Sequence, residues 1–600
     1  VDTSSGPNME VGVSRSFEAF LNAPITDNAS VRISAYDVNE GGFIDLVGGT
    51  KTFTASNYSV PLLEQDNSNS SNVKGYRASL RTWLNDSLTA TLTHTNQDSR
   101  TDGSWDHQPT TLGDLKSSKV IGEFTDDEWD QTSFTIEGDG LFGNQLTYAG
   151  TFFDRDVRYL WDYNAYVEYY NLDSPAQNGF GYYSYYTCDY YSYYYYGTWD
   201  GACNNPTMWA DYSLNMERET HEFRVTSGTQ EDSLQWIIGI FYDNLENPYQ
   251  YTYKWPGMMG YYSDGTWGGT GTAGREGIWW DLDNLREDEV KAIYGEATFA
   301  ISEKARLTVG MRKFESKLRI VAKNGYFGGF GPSYYGHDND RVEEDSGTAP
   351  KLALAYALDN GALLYMNYSE GYRPGGTNRI NRNSDAAPLY YDADQLNNIE
   401  VGYKYLSEDN TLRYNLTFYS MSWTDMQTAN FDLDLASISF NSNIGDAIIQ
   451  GLEGDVTLTT KNGVNFIAGA TILNPRLDED YVLNGVTLAN EGTRLANVPK
   501  IKGSIAINKD FDIKGLSGYW DLSLSRTGKR KSSMTNPIDQ GAYTLGNFST
   551  TMVGENWTAV FYVDNIFDTR ATIWEYQGYR PETVFTNRPR TFGLRLKYKL

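Results

Sequence analysis

The feature that most limits how this 600-residue chain can fold is an alternation of apolar and polar side chains, sustained over about ten positions at a time and repeated along its length. The last segment shows it most clearly: Phe592, Leu594, Leu596, Tyr598 and Leu600 alternate with Gly593, Arg595, Lys597 and Lys599. Successive side chains of a strand point to opposite faces, so one face here is apolar and the other carries cations. Such a strand suits a wall with hydrocarbon on one side and water on the other. No run approaches the roughly 20 consecutive apolar residues of a membrane-spanning helix, so this chain can cross a bilayer only as a closed barrel.

Composition points the same way. Aromatic residues make up 15% of the chain, with 47 Tyr and 15 Trp, against 21% charged residues and a mean hydropathy of −0.54. A soluble core so rich in Tyr and Trp would need a partner for each buried hydroxyl and indole, whereas a membrane wall places such rings at its two interfaces. The net charge of −29 argues against nucleic acid as a partner, because phosphate binding needs a basic surface. No linker or composition break divides the chain, so residues 1–600 read as one domain.

Short polar turns fall at 26–28, 84–86, 138–144, 228–232, 302–304, 359–361, 407–410, 460–463, 509–515 and 554–556, with Asn, Asp and Gly supplying tight-turn geometry. The connections between them are long, roughly 155–218, 245–288 and 318–346 among others. Short turns on one rim and long loops on the other predict an all-β transmembrane antiparallel barrel with periplasmic turns and extracellular loops. Ten turns pair twenty strands and the segment 586–600 makes twenty-one. Bacterial barrels close with even numbers, so 22 strands are expected, with the missing one before Val1. A barrel that wide needs a plug, and no segment of this sequence is suited to be one.

Several phrases then resemble the barrel domain of TonB-dependent receptors: Glu370-Gly371-Tyr372-Arg373-Pro374-Gly375-Gly376, Glu400 with Gly402 and Lys404, Asn443-Ile444-Gly445 before Gly451-Leu452-Glu453, Val563-Asp564-Asn565-Ile566-Phe567-Asp568, and Arg588-Pro589-Arg590-Thr591. Near the start, Asn22-Ala23-Pro24-Ile25, Val31-Arg32-Ile33 and Gly41-Gly42-Phe43-Ile44-Asp45 are similar to early strands of the same family. The chain departs from the family in ending on Leu600 instead of Phe or Trp. The resemblance implies an integral protein of the Gram-negative outer membrane, and with no local catalytic motif, Walker loop or dinucleotide fingerprint in the sequence no enzymatic activity is expected. It implies active uptake of a scarce nutrient such as a ferric siderophore, vitamin or oligosaccharide. Its partners would be the TonB complex, engaged through a plug-bearing region before residue 1, outer-membrane lipid and lipopolysaccharide, and an accessory lipoprotein. The alternative is a large passive pore or a surface binding protein closed by its loops.

Candidate site residues lie in the longest expected loop, where ten Tyr fall between 182 and 196. Tyr182, Tyr185, Tyr190, Tyr193, Tyr195 and Trp199 offer stacking faces for a ligand; packing on one another or on lipopolysaccharide is the other reading. Cys188 and Cys203 are spaced for a loop-stapling disulfide. Arg373 is expected to face the plug. The acidic runs 126–128, 338–340 and 478–480 read as solvated loop faces that could collect Ca²⁺, though none has EF-hand spacing. His94, His107, His221 and His337 are scattered, so neither a metal centre nor a cofactor is expected. Acidic, Tyr-rich loops favour a neutral or cationic ligand over an anionic one.

Overall fold

The computed structural model describes the chain except residues 1, 5–11, 54–56, 141–142, 173–203, 228–232, 258, 262–266, 271–276, 327–336, 379–387, 433–435, 484, 577–579, 581 and 600. Its centre is one 22-stranded antiparallel sheet in which each strand pairs with its neighbours in chain order. Closure runs through a three-residue strand, Asp2–Ser4, which pairs with Phe592 and Gly593 on one side and with Val13 and Ser14 on the other. The remaining 21 strands are those counted from the sequence, and the last, Thr591–Tyr598, is shorter than the predicted 586–600. Beyond Ser14, the strand Val13–Thr26 is paired only with Ala29–Glu40 among the described residues.

The wall follows the two-residue alternation. Ile238 and Ile240 of Leu234–Lys254 are 53% and 55% exposed, and Phe592, Leu594, Leu596 and Tyr598 are all exposed. At about 25 cal/mol per Å², a belt of such side chains around the whole sheet would be ruinous in water, so hydrocarbon is its solvent. Among the described residues no helix is long and apolar enough to cross a membrane, and the strands do the crossing. The short turns fall as predicted, with 228–232 outside the described residues. The 509–515 turn is tighter: Ile501–Ile513 continues into a reversal at Lys514 and Gly515, with φ of 55° and 83°.

The long loops are shorter than the sequence indicates, because the strands run on. Six consecutive strands, Gln145–Asp162, Trp209–Thr226, Leu234–Lys254, Ile278–Ala300, Ala305–Tyr326 and His337–Ala357, hold 18 to 23 residues. On the far side Trp557–Asp564 and Thr591–Tyr598 hold 8 each. At about 3.3 Å per residue and a tilt near 40°, the longest strands rise about 55 Å, roughly twice the apolar band. One side of the mouth therefore stands clear of the membrane. There both faces meet water, the apolar alternation fades, and the sequence reads as loop.

Facing the lumen, tyrosine rings lie across glycines of the neighbouring strand. Tyr365 sits directly opposite Gly402, Tyr419 opposite Gly451 and Tyr294 opposite Gly239. The Tyr365 hydroxyl donates to Glu400 at 2.5 Å. A Cβ at Gly402 would come 2.2 Å from the Tyr365 ring, whereas one at Gly454 would meet Leu416 at 3.4 Å and the Asn415 carbonyl at 3.6 Å, ordinary contacts. Gly402→Ala is therefore expected to cost about 1–3 kcal/mol in urea unfolding of the barrel, with Gly454→Ala close to neutral. Equal midpoints for the two variants would contradict this account of the lumen glycines.

Candidate functional site

The tall wall places a run of rings on its inner face. Ile238 and Ile240 point outward, so Tyr249, Tyr251 and Tyr253, at odd positions of the same strand, point to the lumen. Directly opposed residues of adjacent strands share a face. Tyr159 opposes Tyr212, Tyr212 opposes Tyr251, and Tyr253 opposes Trp280, so the rings cross four strands. Centroids are 4.3 Å apart for the stacked pair Tyr159 and Tyr212, 5.2 Å for Tyr212 and Tyr251, 5.0 Å for Tyr251 and Tyr253, and 5.5 Å for Tyr253 and Trp280. Burial pushes the Tyr251 and Tyr253 phenols well above the ordinary tyrosine range, so they are neutral hydrogen-bonding groups. Tyr253 donates to Tyr163 at 3.1 Å, and Asn284 donates to Tyr249 at 2.7 Å.

Charges on this inner face are matched. Arg155 pairs with Asp127 at 2.6 Å, Arg218 with Asp243 at 2.8 Å and Arg286 with Asp288 at 2.6 Å. The wall thus offers aromatic faces with little net charge, a surface for flat or ring-bearing ligands. Above it the extracellular segments pack into a cap. Its core joins Phe53 and Val60, Tyr163, Tyr166 and Val167 around the start of the helix Asn164–Leu172, and Met208, Ala210, Trp255 and Trp279.

A buried ionic knot ties the cap to the last extracellular segment. Lys119 Nζ lies 3.1 Å from Asp106 and 2.9 Å from Glu123, and Arg580 lies 3.6 Å from Glu123. Lys119, Asp106 and Glu123 border a cavity of about 260 Å³ together with Ser104, Arg100 and Ile44. Beside it, Asp106 and His107 pair with Val584 and Phe585, which pair in turn with Trp574 and Glu575. His107 Nδ1 accepts the Leu115 N–H at 3.2 Å. Burial, with a smaller push from Arg570, lowers the His107 pKa, while Asp114 and Asp106 oppose the shift. A depressed folded pKa means that the neutral ring is favoured by folding. This stabilisation is complete above the ordinary histidine range near pH 6.5 and is lost as pH falls through the folded pKa. Lowering the pH from about 7.5 to 5 is expected to speed exchange of the Leu115 amide beyond the intrinsic pH trend, and His107→Gln should abolish the excess. An identical pH profile in the variant would rule this out.

Arg373 lies at the extracellular end of Leu363–Arg373. Its Nε is 3.1 Å from both oxygens of buried Asp394, its Nη2 also contacts Asp394, and Nη2 donates to the Gln427 carbonyl at 2.9 Å. Asp394 accepts further hydrogen bonds from Trp423 Nε1 at 3.0 Å and the Gln427 N–H at 2.9 Å. Gln427 reaches the Pro374 and Asp392 carbonyls, and Asn443 reaches those of Asp392 and Asp425. Two phrases 70 positions apart in sequence, around Arg373 and Asn443, thus meet at one lock.

Tyr182, Tyr185, Tyr190, Tyr193, Tyr195, Trp199, Cys188 and Cys203 lie outside the described residues. The described ring wall was not singled out from sequence, although Tyr249, Tyr251 and Tyr253 at every second position are a legible one-face signal. The acidic run 126–128 is not a loop: it lies within Phe124–Asp139, where Asp126 pairs with Arg100 and Asp127 with Arg155. Asp340 likewise lies in a strand, paired with Arg319. Among the described residues no group of three or more His, Cys, Asp or Glu side chains could hold a metal ion.

Residues 75–566 match the family model described as TonB dependent receptor-like, beta-barrel. The chain is 24% identical over 308 residues to the pesticin receptor of Yersinia pestis, a stretch covering 51% of this chain and 43% of that receptor. It is 24% identical over 253 residues to the ferrichrome outer membrane transporter/phage receptor of Escherichia coli K12, covering 40% and 32%. The chain therefore spans less than half the length of these two relatives. Among solved structures it is similar to the ferric yersiniabactin uptake receptor FyuA from Yersinia pestis, with a TM-score of 0.74 at 14% identity over 99% of this chain and 80% of that one. It is also similar to the siderophore receptor PiuA from Acinetobacter baumannii, with a TM-score of 0.67 at 12% identity over 98% and 80%. A family match across most of the sequence, joined to a closed 22-stranded wall, identifies the chain as a member of the TonB-dependent receptor family, a β-barrel integral to the Gram-negative outer membrane.

Proposed function

We propose that this barrel captures a ferric chelate of low net charge at its tall inner wall and passes it through the lumen. Force would come from the TonB complex, acting on a plug that precedes Val1. The observation that carries the ligand class is the ring wall of Tyr159, Tyr212, Tyr251 and Trp280, set among neutralised ion pairs. An anionic chelate would call for unpaired Lys and Arg there, and the three inner-face arginines beside the rings are paired. The names of the relatives support iron uptake, since they include a ferrichrome transporter and a ferric yersiniabactin receptor.

A second reading has support in the same rings, because they would equally stack on the CH faces of an uncharged oligosaccharide. Titration of the purified receptor, followed by quenching of its Tyr and Trp fluorescence, separates the two. A ferric chelate of low charge should bind, with Tyr212→Ala weakening it about tenfold and lipid-facing Phe152→Ala leaving it unchanged. Binding of neutral oligosaccharides alone would favour the second reading, and indifference to Tyr212→Ala would remove both.

A further inference from the structure

The cavity beside the ionic knot has a polar lining that the protein satisfies only in part. Arg100 and Asp102 lie an even number of residues from Leu92 on the strand Leu88–Asp102, so they share its outward, exposed face. They form one side of the cavity of about 260 Å³ that Lys119, Asp106 and Glu123 also border, so this space is separate from the ring wall inside the lumen. Another side is a two-residue parallel ladder in which Ser117 opposes Leu46. Ser117 is 2% exposed, and its hydroxyl lines the cavity without a hydrogen-bond partner among the described residues. A hydroxyl buried without a partner opposes folding, so one left facing a cavity is matched to whatever fills it.

Two more groups hold unmatched donors. Lys119 carries three N–H groups, and Asp106 and Glu123 account for two of them, at 3.1 and 2.9 Å. Arg100 donates from Nε to Asp102 and from Nη1 to Asp126, each at 2.9 Å, and its Nη2 has no partner among the described residues. The carboxylates keep spare acceptor capacity, since each offers about four lone-pair sites. Asp106 uses its oxygens for Lys119 and Ser104, and Asp102 for Arg100 and Ser70. Arg100 and Lys119 stand against Asp102, Asp106 and Glu123, so the lining has one negative charge in excess. Just outside it, Arg580 beside Glu123 and Asp126 beside Arg100 offset one another. A simple anion is therefore opposed by the field, and a simple cation would leave the Ser117, Lys119 and Arg100 donors unmatched. A molecule bearing both charges answers both sets. Ile44 and Leu46, both buried, add an apolar surface to the lining. At about 30 Å³ per water, the cavity has room for about nine waters, or for a solute of about nine heavy atoms.

We propose that this cavity binds a free α-amino acid with an apolar side chain. Its carboxylate accepts from Arg100, Lys119 and Ser117, its ammonium donates to Asp102 and Asp106, and its side chain rests on Ile44 and Leu46. Bound there, it joins residues 44–46 to 100–106 and 117–123 and tightens the cap at the knot centred on Lys119. The site lies outside the lumen, so it does not rest on the ring wall as the place of capture.

The test is calorimetric titration of the folded receptor in mild detergent with L-leucine. Wild-type protein should bind it, whereas isocaproate, which lacks the ammonium, and isoamylamine, which lacks the carboxylate, should each bind at least about tenfold more weakly. Arg100→Gln should weaken leucine by about tenfold. Ser117→Ala should weaken it by about threefold, and this smaller change keeps the proposal testable if the Arg100 variant does not fold. Arg319→Gln, an arginine paired with Asp340 and no part of the cavity, should change nothing. Added leucine should also slow hydrogen exchange of peptides over 104–123 in the wild type. Absence of leucine binding would overturn the proposal, as would equal binding of either singly charged analogue or indifference to both Arg100→Gln and Ser117→Ala. So would glucose binding more tightly than leucine, which would mark a site for a neutral polyol.

Discussion

Replacing Lys119 with methionine is expected to destabilise the extracellular cap by about 3–5 kcal/mol while leaving the barrel wall intact. The ammonium is 8% exposed and the Asp106 and Glu123 carboxylates that flank it are each 3% exposed. Burial pulls the Lys119 pKa down, but the two carboxylates outweigh it and the group stays charged. Methionine fills a similar volume and removes the cation, leaving two buried anions side by side. Ser104 contacts both carboxylates but has one hydroxyl proton to give. Arg580, 3.6 Å from Glu123, is the cation that remains. Hydrogen exchange of peptides over 104–123 and 570–576 should therefore rise by about a hundredfold or more, with the strands unaffected. Adding Asp106→Asn and Glu123→Gln to the methionine variant should restore much of the protection, because the cost lies in unpaired charge. Unchanged exchange in the single variant would show that the knot does not hold the cap.

Asp394→Ala is expected to open the lock around Arg373 at a cost of about 2–4 kcal/mol. Asp394 is 3% exposed and accepts from Arg373, the Trp423 indole and the Gln427 backbone. Losing it strands two neutral donors and one guanidinium. The Arg373 side chain is 49% exposed, so water screens part of its charge and the estimate stays below that for Lys119. Exchange at 374–378 and 423–428 should accelerate together, since Gln427 ties the two segments through the Pro374 and Asp392 carbonyls. Acceleration confined to one segment would mean that Asp394 is not the shared anchor. Asp394→Asn, which keeps the acceptor oxygen and loses the charge, should fall between the two.

Much of the wall was legible because lipid enforces the two-residue period. Phe592, Leu594 and Leu596 could be assigned to hydrocarbon, and the turns at 26–28 or 460–463 placed, from side-chain order alone. Where strands leave the membrane that constraint ends. In Ile278–Ala300, Asp281 and Asp283 occupy outward positions that a lipid-embedded strand would fill with apolar side chains, so 245–288 reads as loop although the two wall strands run through both of its ends, over 245–254 and 278–288. The family phrases located residues without showing what they touch. Arg373 stands out in sequence, yet its partner Asp394 is an unremarkable acid 21 positions on. Asn565 and Arg588 belong to separate phrases that prove to be one knot, with Asn565 donating to the Thr569 and Arg588 carbonyls. Lys119, Glu123 and Arg580 carried no signal, because burial of a charge is a property of packing between segments hundreds of residues apart.

The measurement that bears most directly on the whole account is collisional accessibility of single spin labels along Gln145–Asp162 in a reconstituted bilayer. A label at Phe152 should be reached by oxygen dissolved in lipid, and labels at Asp154, Asp156 and Arg158, on the same outward face, by an aqueous relaxant. A label at Tyr159 should answer to the aqueous relaxant from within the lumen and respond to bound ligand. Lipid accessibility continuing unbroken from 152 through 158 would mean that no wall rises above the membrane, and the proposed capture site would lose its foundation.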